Sequence, residues 1–193
     1  DGTANLDIVD IDVSLDVDGT IKLDGSYPTG DRNVALGNTA GDSVEGTAIG
    51  NTLIGNASGT AITTGDLNTA IGFDTLLAVV SGVNNTALGY NTLKKTTGDY
   101  NTAVGANALV ENVGGDYNIA VGNTAGNNIT SGSGNVVIGV ADVASATGDD
   151  QLKISDGQDG SVVWMVGDSS ANVTFAAEVA AATLDISGAI DID

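Results

Sequence analysis

Along the middle of the chain, aliphatic and small residues recur in one phrase: Asn, one or two small residues, an aliphatic, then Gly. It reads Asn-Thr-Ala-Ile-Gly at 68–72, Asn-Thr-Ala-Leu-Gly at 85–89 and Asn-Thr-Ala-Val-Gly at 101–105. It returns as Asn-Ile-Ala-Val-Gly at 118–122 and Asn-Val-Val-Ile-Gly at 135–139. The columns are thus Asn68, Asn85, Asn101, Asn118 and Asn135, closed by Gly72, Gly89, Gly105, Gly122 and Gly139, a step of about 17 residues. Two looser copies precede them, ending at Gly37 and Gly50. The 22-residue step from Gly50 to Gly72 breaks the period. Gly55 lies 17 residues before Gly72, so either Gly50 or Gly55 fits the register. A fixed period of this size predicts an all-β solenoid of stacked coils, each with a short strand, a second stretch and a polar turn.

Within each phrase the period-2 alternation makes two faces. Thr69 and Ile71 share one, while Asn68, Ala70 and Gly72 share the other. One face points into the coil; the other holds Ala and Gly, small enough for a neighbouring backbone to come close. Asn at a fixed place in every coil predicts a ladder of side-chain amides. Turns such as Thr96-Thr-Gly-Asp and Gly114-Gly-Asp carry residue types that tolerate positive φ. Thr75 to Val83, the most apolar run in the repeats, reads as buried packing, and Lys94-Lys95 as local charge balance.

The flanks carry a different pattern. Val9, Ile11, Val13, Leu15, Val17, Ile21 and Leu23 fall on one parity, with Asp10, Asp12, Asp16, Asp18 and Asp24 on the other. That is a strand signal with an apolar row too long for one thin ribbon to hide, so it predicts a shaft packed against copies of itself. Residues 183–193 resume the same idiom. Between them, 151–155, 161–167 and 172–175 read as three strands of a small β module with Trp164 as its core anchor. The expected organisation is a β shaft at 1–30, β-roll repeats at 31–147, the module at 148–180 and a further shaft starting at 181–193. A first residue that is Asp rather than Met suggests a piece of a longer product.

The coil phrases resemble the head repeats of trimeric autotransporter adhesins, the YadA-like family. The longer form at 68–76 and 85–93, Asn-Thr-Ala-Ile-Gly-Phe-Asp-Thr-Leu and Asn-Thr-Ala-Leu-Gly-Tyr-Asn-Thr-Leu, is similar to repeats of bacteriophage tail fibres. The resemblance spans residues 33–144. It implies a left-handed parallel β-roll in an interlocked, parallel homotrimeric fibre. It further implies an extracellular place, on a virion tail fibre or, alternatively, on a bacterial cell surface as an adhesin. Attachment to a host surface glycan or protein would be the task. The spacing is longer than in the adhesin heads, and no membrane anchor or signal peptide is visible.

Composition narrows the chemistry. Among 193 residues there are 28 Gly, one Trp, two Phe and four Tyr, so Val, Ile, Leu and Ala must carry the packing. Net charge is −20, with 25 acidic residues against five basic ones, which opposes binding to nucleic acid or anionic membranes. Neither Cys nor His occurs, removing thiolate chemistry, disulfides and the commonest general base. No enzymatic function is expected, since only a carboxylate pair could serve and the acids sit in strands and turns. No cofactor is expected either. Calcium is the one ion the composition suits, with Asp10, Asp12, Asp16 and Asp18, or Asp149, Asp150, Asp156 and Asp159, as oxygen donors, none at EF-hand spacing. The Asn-x-Ser/Thr sequons at Asn56, Asn84, Asn128 and Asn172 fall out of the repeat composition and suggest no function.

Overall fold

The computed structural model describes residues 30–175 and contains no helix among them. Ten strands follow one another in a single sheet in chain order. They are β1 (Val34–Leu36), β2 (Thr52–Ile54), β3 (Thr69–Ile71), β4 (Thr86–Leu88) and β5 (Thr102–Val104). Then come β6 (Ile119–Val121), β7 (Val136–Ile138), β8 (Leu152–Ser155), β9 (Val163–Gly167) and β10 (Val173–Phe175). Strands β1 to β8 pair in parallel, each with the next, without slippage: Thr69 faces Thr86, Ala70 faces Ala87, Ile71 faces Leu88. Because each parallel partner is reached after one circuit of chain, this is a β-solenoid of about seven turns. Strands β9 and β10 close the series as antiparallel additions. The expected shafts lie outside the described residues, apart from Gly30.

The alternation puts the Asn-Ala-Gly face inside, the reverse of what the bulk of Ile71 suggests. Ala70, Ala87, Ala103 and Ala120 are fully buried, and Thr69 and Ile71 point outward, half-buried. The interior is filled instead from the opposite wall, by Leu76, Leu93 and Leu109. These leucines hold φ values of 48° to 50°, at a cost of about 1–2 kcal/mol each for an L-residue. Burying a leucine returns roughly 1.5–3 kcal/mol, so the side chain is favoured there only while the strand opposite stays small. The coil of β2 reverses the allocation, and the coil of β6 is small on both walls, with Ala120 and Gly126. Gly59 takes the place of Leu76, and its missing side chain leaves room for Leu53 and Ile62; Gly126 makes room for Ile129 and Val137. In the run Thr75 to Val83, Leu76 and Val79 are buried as expected, while Val80 is exposed.

The asparagines form the predicted ladder. Each Asn Oδ1 accepts the backbone N–H and the side-chain amide of the Asn one coil on; from Asn68 these run at 3.0 and 3.2 Å from Asn85. The series runs from Asn33 through Asn51, Asn68, Asn85, Asn101 and Asn118 to Asn135, and Gln151 continues it. Asn51 is therefore the ladder member that the sequence phrase at 46–50 hides. Gly55, not Gly50, belongs to the column of Gly37, Gly72, Gly89, Gly105, Gly122 and Gly139. There φ is strongly positive, and from Gly37 to Gly122 a Cβ would overlap the carbonyl oxygen of the next member, as Gly55 would that of Gly72. Gly50 instead precedes Asn51, in a column where Leu67, Asn84, Tyr100, Tyr117 and Gly134 all take positive φ.

That column also corrects the turns. The positive φ falls on Tyr100 and Tyr117 rather than on the preceding Gly98, Asp99, Gly115 and Asp116. The turn glycines are small for another reason: a Cβ on Gly98 would meet the carbonyl oxygen of Gly115, at 2.5 Å. The aspartates brace the stack, with Asp99 Oδ1 accepting from Val83 N–H and Asp116 Oδ1 from Asp99 N–H, both at 2.8 Å. Strands β8 to β10 bear out the three predicted strands, yet Trp164 is not a core anchor. It is 55% exposed, because β9 and β10 extend the sheet where, among the described residues, no further coil stands behind it to cover the ring.

Candidate functional site: an apolar strand face and its flanks

With Asn, Ala and Gly turned inward, positions two and four of each phrase form the outer surface of the sheet. The fourth-position row runs Leu36, Ile54, Ile71, Leu88, Val104, Val121, Ile138 and Ile154, and register carries it on to Met165 and Phe175. No charged or polar side chain interrupts it across ten strands. At the strand spacing of about 4.8 Å the row is roughly 40 Å long. Leu36, Leu88 and Ile138 are 48%, 44% and 40% exposed, and Phe175 is 51% exposed. The second-position row beside it holds Val34, Thr52, Thr69, Thr86, Thr102, Ile119, Val136 and Leu152. The sequence named the glycines and asparagines of each phrase; the structure buries the asparagines from Asn51 to Asn135 and stacks the column glycines on one another, as scaffold, and turns the missed aliphatics outward. Their signal was present as the recurring Ile, Leu or Val, but alternation alone does not assign inside and outside.

Two flanks border the face. Ahead of each strand stand Leu67, Asn84, Tyr100 and Tyr117, on rungs three to six counted from β1; after each strand stand Phe73, Tyr90, Ala106 and Asn123 on the same rungs. Tyr100 and Tyr117 stack with ring centroids 4.8 Å apart and planes 5° apart, and Phe73 and Tyr90 stack at 5.6 Å and 20°. All four rings are about half-exposed. The basic pair is satisfied within the chain, Lys94 by Asp74 at 2.7 Å and Lys95 by Glu111 at 2.5 Å, as the local-balance reading expects.

Among the described residues the acidic candidates for calcium do not converge. Asp10, Asp12, Asp16 and Asp18 lie outside the described residues, and among the described ones no three acidic side chains come together as a metal site. Asp149 Oδ1 is engaged by Ser133 N–H at 2.8 Å. Asp159 is held below the ordinary carboxylate range by hydrogen bonds from Ser161, and Asp168 by those from Asn172 and Ser170. A shallow depression of about 180 Å³, lined by Thr124, Val140, Ala141, Asp142 and Asp159, is small against the roughly 300 Å³ and upward of ligand pockets. No described helix is long and apolar enough to cross a membrane. Comparison of the chain with protein families, with curated proteins and with solved structures gives no match.

Proposed function

We propose that this chain is a structural segment of an extracellular fibre, a virion tail fibre that contributes to attachment at a host surface, assembled as a parallel homotrimer. The observation that carries the reading is the unbroken apolar row across ten strands in a chain of net charge −20. A continuous exposed apolar strip of this length is unusual for a lone soluble domain and marks an interaction face. A second copy in parallel orientation fits it: the strip repeats rung by rung, so aliphatics meet aliphatics along its whole length, away from the repelling carboxylates. Three copies around an axis cover every strip at once, and cyclic closure leaves none free to propagate. The solenoid then provides length and stiffness, and the exposed turns meet the host glycan or protein. Its role is mechanical and adhesive, not catalytic.

The test is the mass in solution by light scattering at moderate salt. Three times the chain mass is expected, unchanged when calcium is chelated. A monomer at micromolar concentration overturns the assembly.

A further inference from the structure

The two flanks of the strand face are complementary to each other. On rung four the flank after the strand carries Tyr90, and the flank ahead of it carries Asn84. On rung five the bulk changes sides, with Tyr100 ahead and Ala106 after; on rung six Tyr117 stands ahead and Asn123 after. On rung three Phe73 lies opposite the apolar Leu67. Within one chain these positions stand at opposite ends of a rung, on either side of the strand Thr86–Leu88.

The conformational cost supports a purpose for the rings. Tyr100 and Tyr117 adopt φ of 57° and 56°, as does Leu67 in the same column at 56°, where Gly at 50 and 134 and Asn at 84 are residues suited to that geometry. Tyr117 is nonetheless 60% exposed, so its own chain returns little burial for the strain. The positive φ belongs to the coil as a whole, while Leu67 and Tyr117, 57% and 60% exposed on it, find burial only in a contact outside the chain.

We infer that the flank ahead of the strands of one copy docks against the flank after the strands of the next, rung against the same rung, with the four aromatic rings filling the seam. The inference rests on the trimeric reading above and specifies its joint. A closed threefold ring permits no net axial shift around the circuit, which fixes the pairing at equal rungs. At that register Tyr90 lies over Asn84, Tyr100 over Ala106 and Tyr117 over Asn123, so the seam keeps an even width. A slip of two rungs would set Tyr90 against Tyr117 and Phe73 against Tyr100, splaying the joint. Aromatic anchors amid an aliphatic strip also match the composition of stable protein interfaces.

Engineered disulfides test this, since the chain has no cysteine of its own. In the full chain, Asn84→Cys with Tyr90→Cys places thiols on one rung across the seam. Asn84→Cys with Asn123→Cys separates them by two rungs, about 10 Å along the axis and beyond disulfide reach. Far-UV circular dichroism verifies the fold of each. Mild oxidation and non-reducing denaturing electrophoresis should give covalent trimers for the same-rung pair and none for the offset pair. As a second variant, Ala106→Trp sets a large ring opposite Tyr100 and should weaken assembly by about tenfold or more, whereas Ala106→Ser should not. A trimer by light scattering that fails to cross-link at equal rungs, or cross-links equally at the offset, overturns the seam and leaves the fibre reading standing. A monomer overturns both.

Discussion

Asn101→Ala removes one member from the middle of the amide ladder, and its cost follows from the partners left behind. Asn101 Oδ1 accepts from Asn118 N–H at 3.0 Å and from Asn118 Nδ2 at 3.1 Å. Both donors belong to a fully buried residue, so both lose their acceptor where water does not reach. The other partners fare better. Gly115 O keeps its bond from Asn112 Nδ2, and Asn85 Oδ1 keeps the backbone N–H of residue 101. Two orphaned buried donors at about 1–3 kcal/mol each, with a small cavity besides, give a loss of about 3–5 kcal/mol. For a chain of this length that lowers the melting temperature by roughly 10 °C. Gln151→Ala is the control. Gln151 is half-exposed at the end of the ladder, and no further rung depends on its oxygen, so its loss costs about 0.5–1.5 kcal/mol. Thermal and urea melts by circular dichroism, at matched protein concentration because assembly adds to apparent stability, separate the two. An Asn101→Ala loss below about 1 kcal/mol, or no larger than that of Gln151→Ala, refutes the ladder as a buried, cooperative support.

Three further outcomes follow from other parts of the structure. Gly105→Ala drives a methyl into the carbonyl oxygen of Gly122 at φ 132°, so it should destabilise by more than about 4 kcal/mol and appear as lost soluble yield and a collapsed melt. Leu88→Asp leaves the coil interior untouched; circular dichroism should be unchanged while the light-scattering mass falls to one chain, and an intact trimer would remove the strand face from the interface. Asp168 has a folded pKa below its unfolded value, so its turn is stabilised above the ordinary carboxylate range and loosens as pH falls through the lowered value. Carboxyl NMR titration should show that depression shrink in Asn172→Ala, with the backbone N–H groups of residues 170 and 172 holding the remainder.

The period, the short strands and the amide ladder were legible in the sequence because each depends on local spacing: one Asn and one Gly per coil, two residues between side chains on a face. The three strands after Gly148 were legible for the same reason. Which of two faces turns inward was not, since it depends on Leu76, Leu93 and Leu109 arriving from the opposite wall and leaving room only for alanine. The choice between Gly50 and Gly55 likewise needed the neighbouring coil, whose carbonyl excludes a side chain at Gly55 and not at Gly50. Trp164 misled because an indole ordinarily seeks a core, and only the tertiary structure reveals that the solenoid wall ends before β9. The sequence by itself determined a stacked, repeating β architecture with a polar spine. The tertiary structure decided what that architecture presents to its surroundings, because inside and outside are properties of the closed coil and not of any stretch of chain.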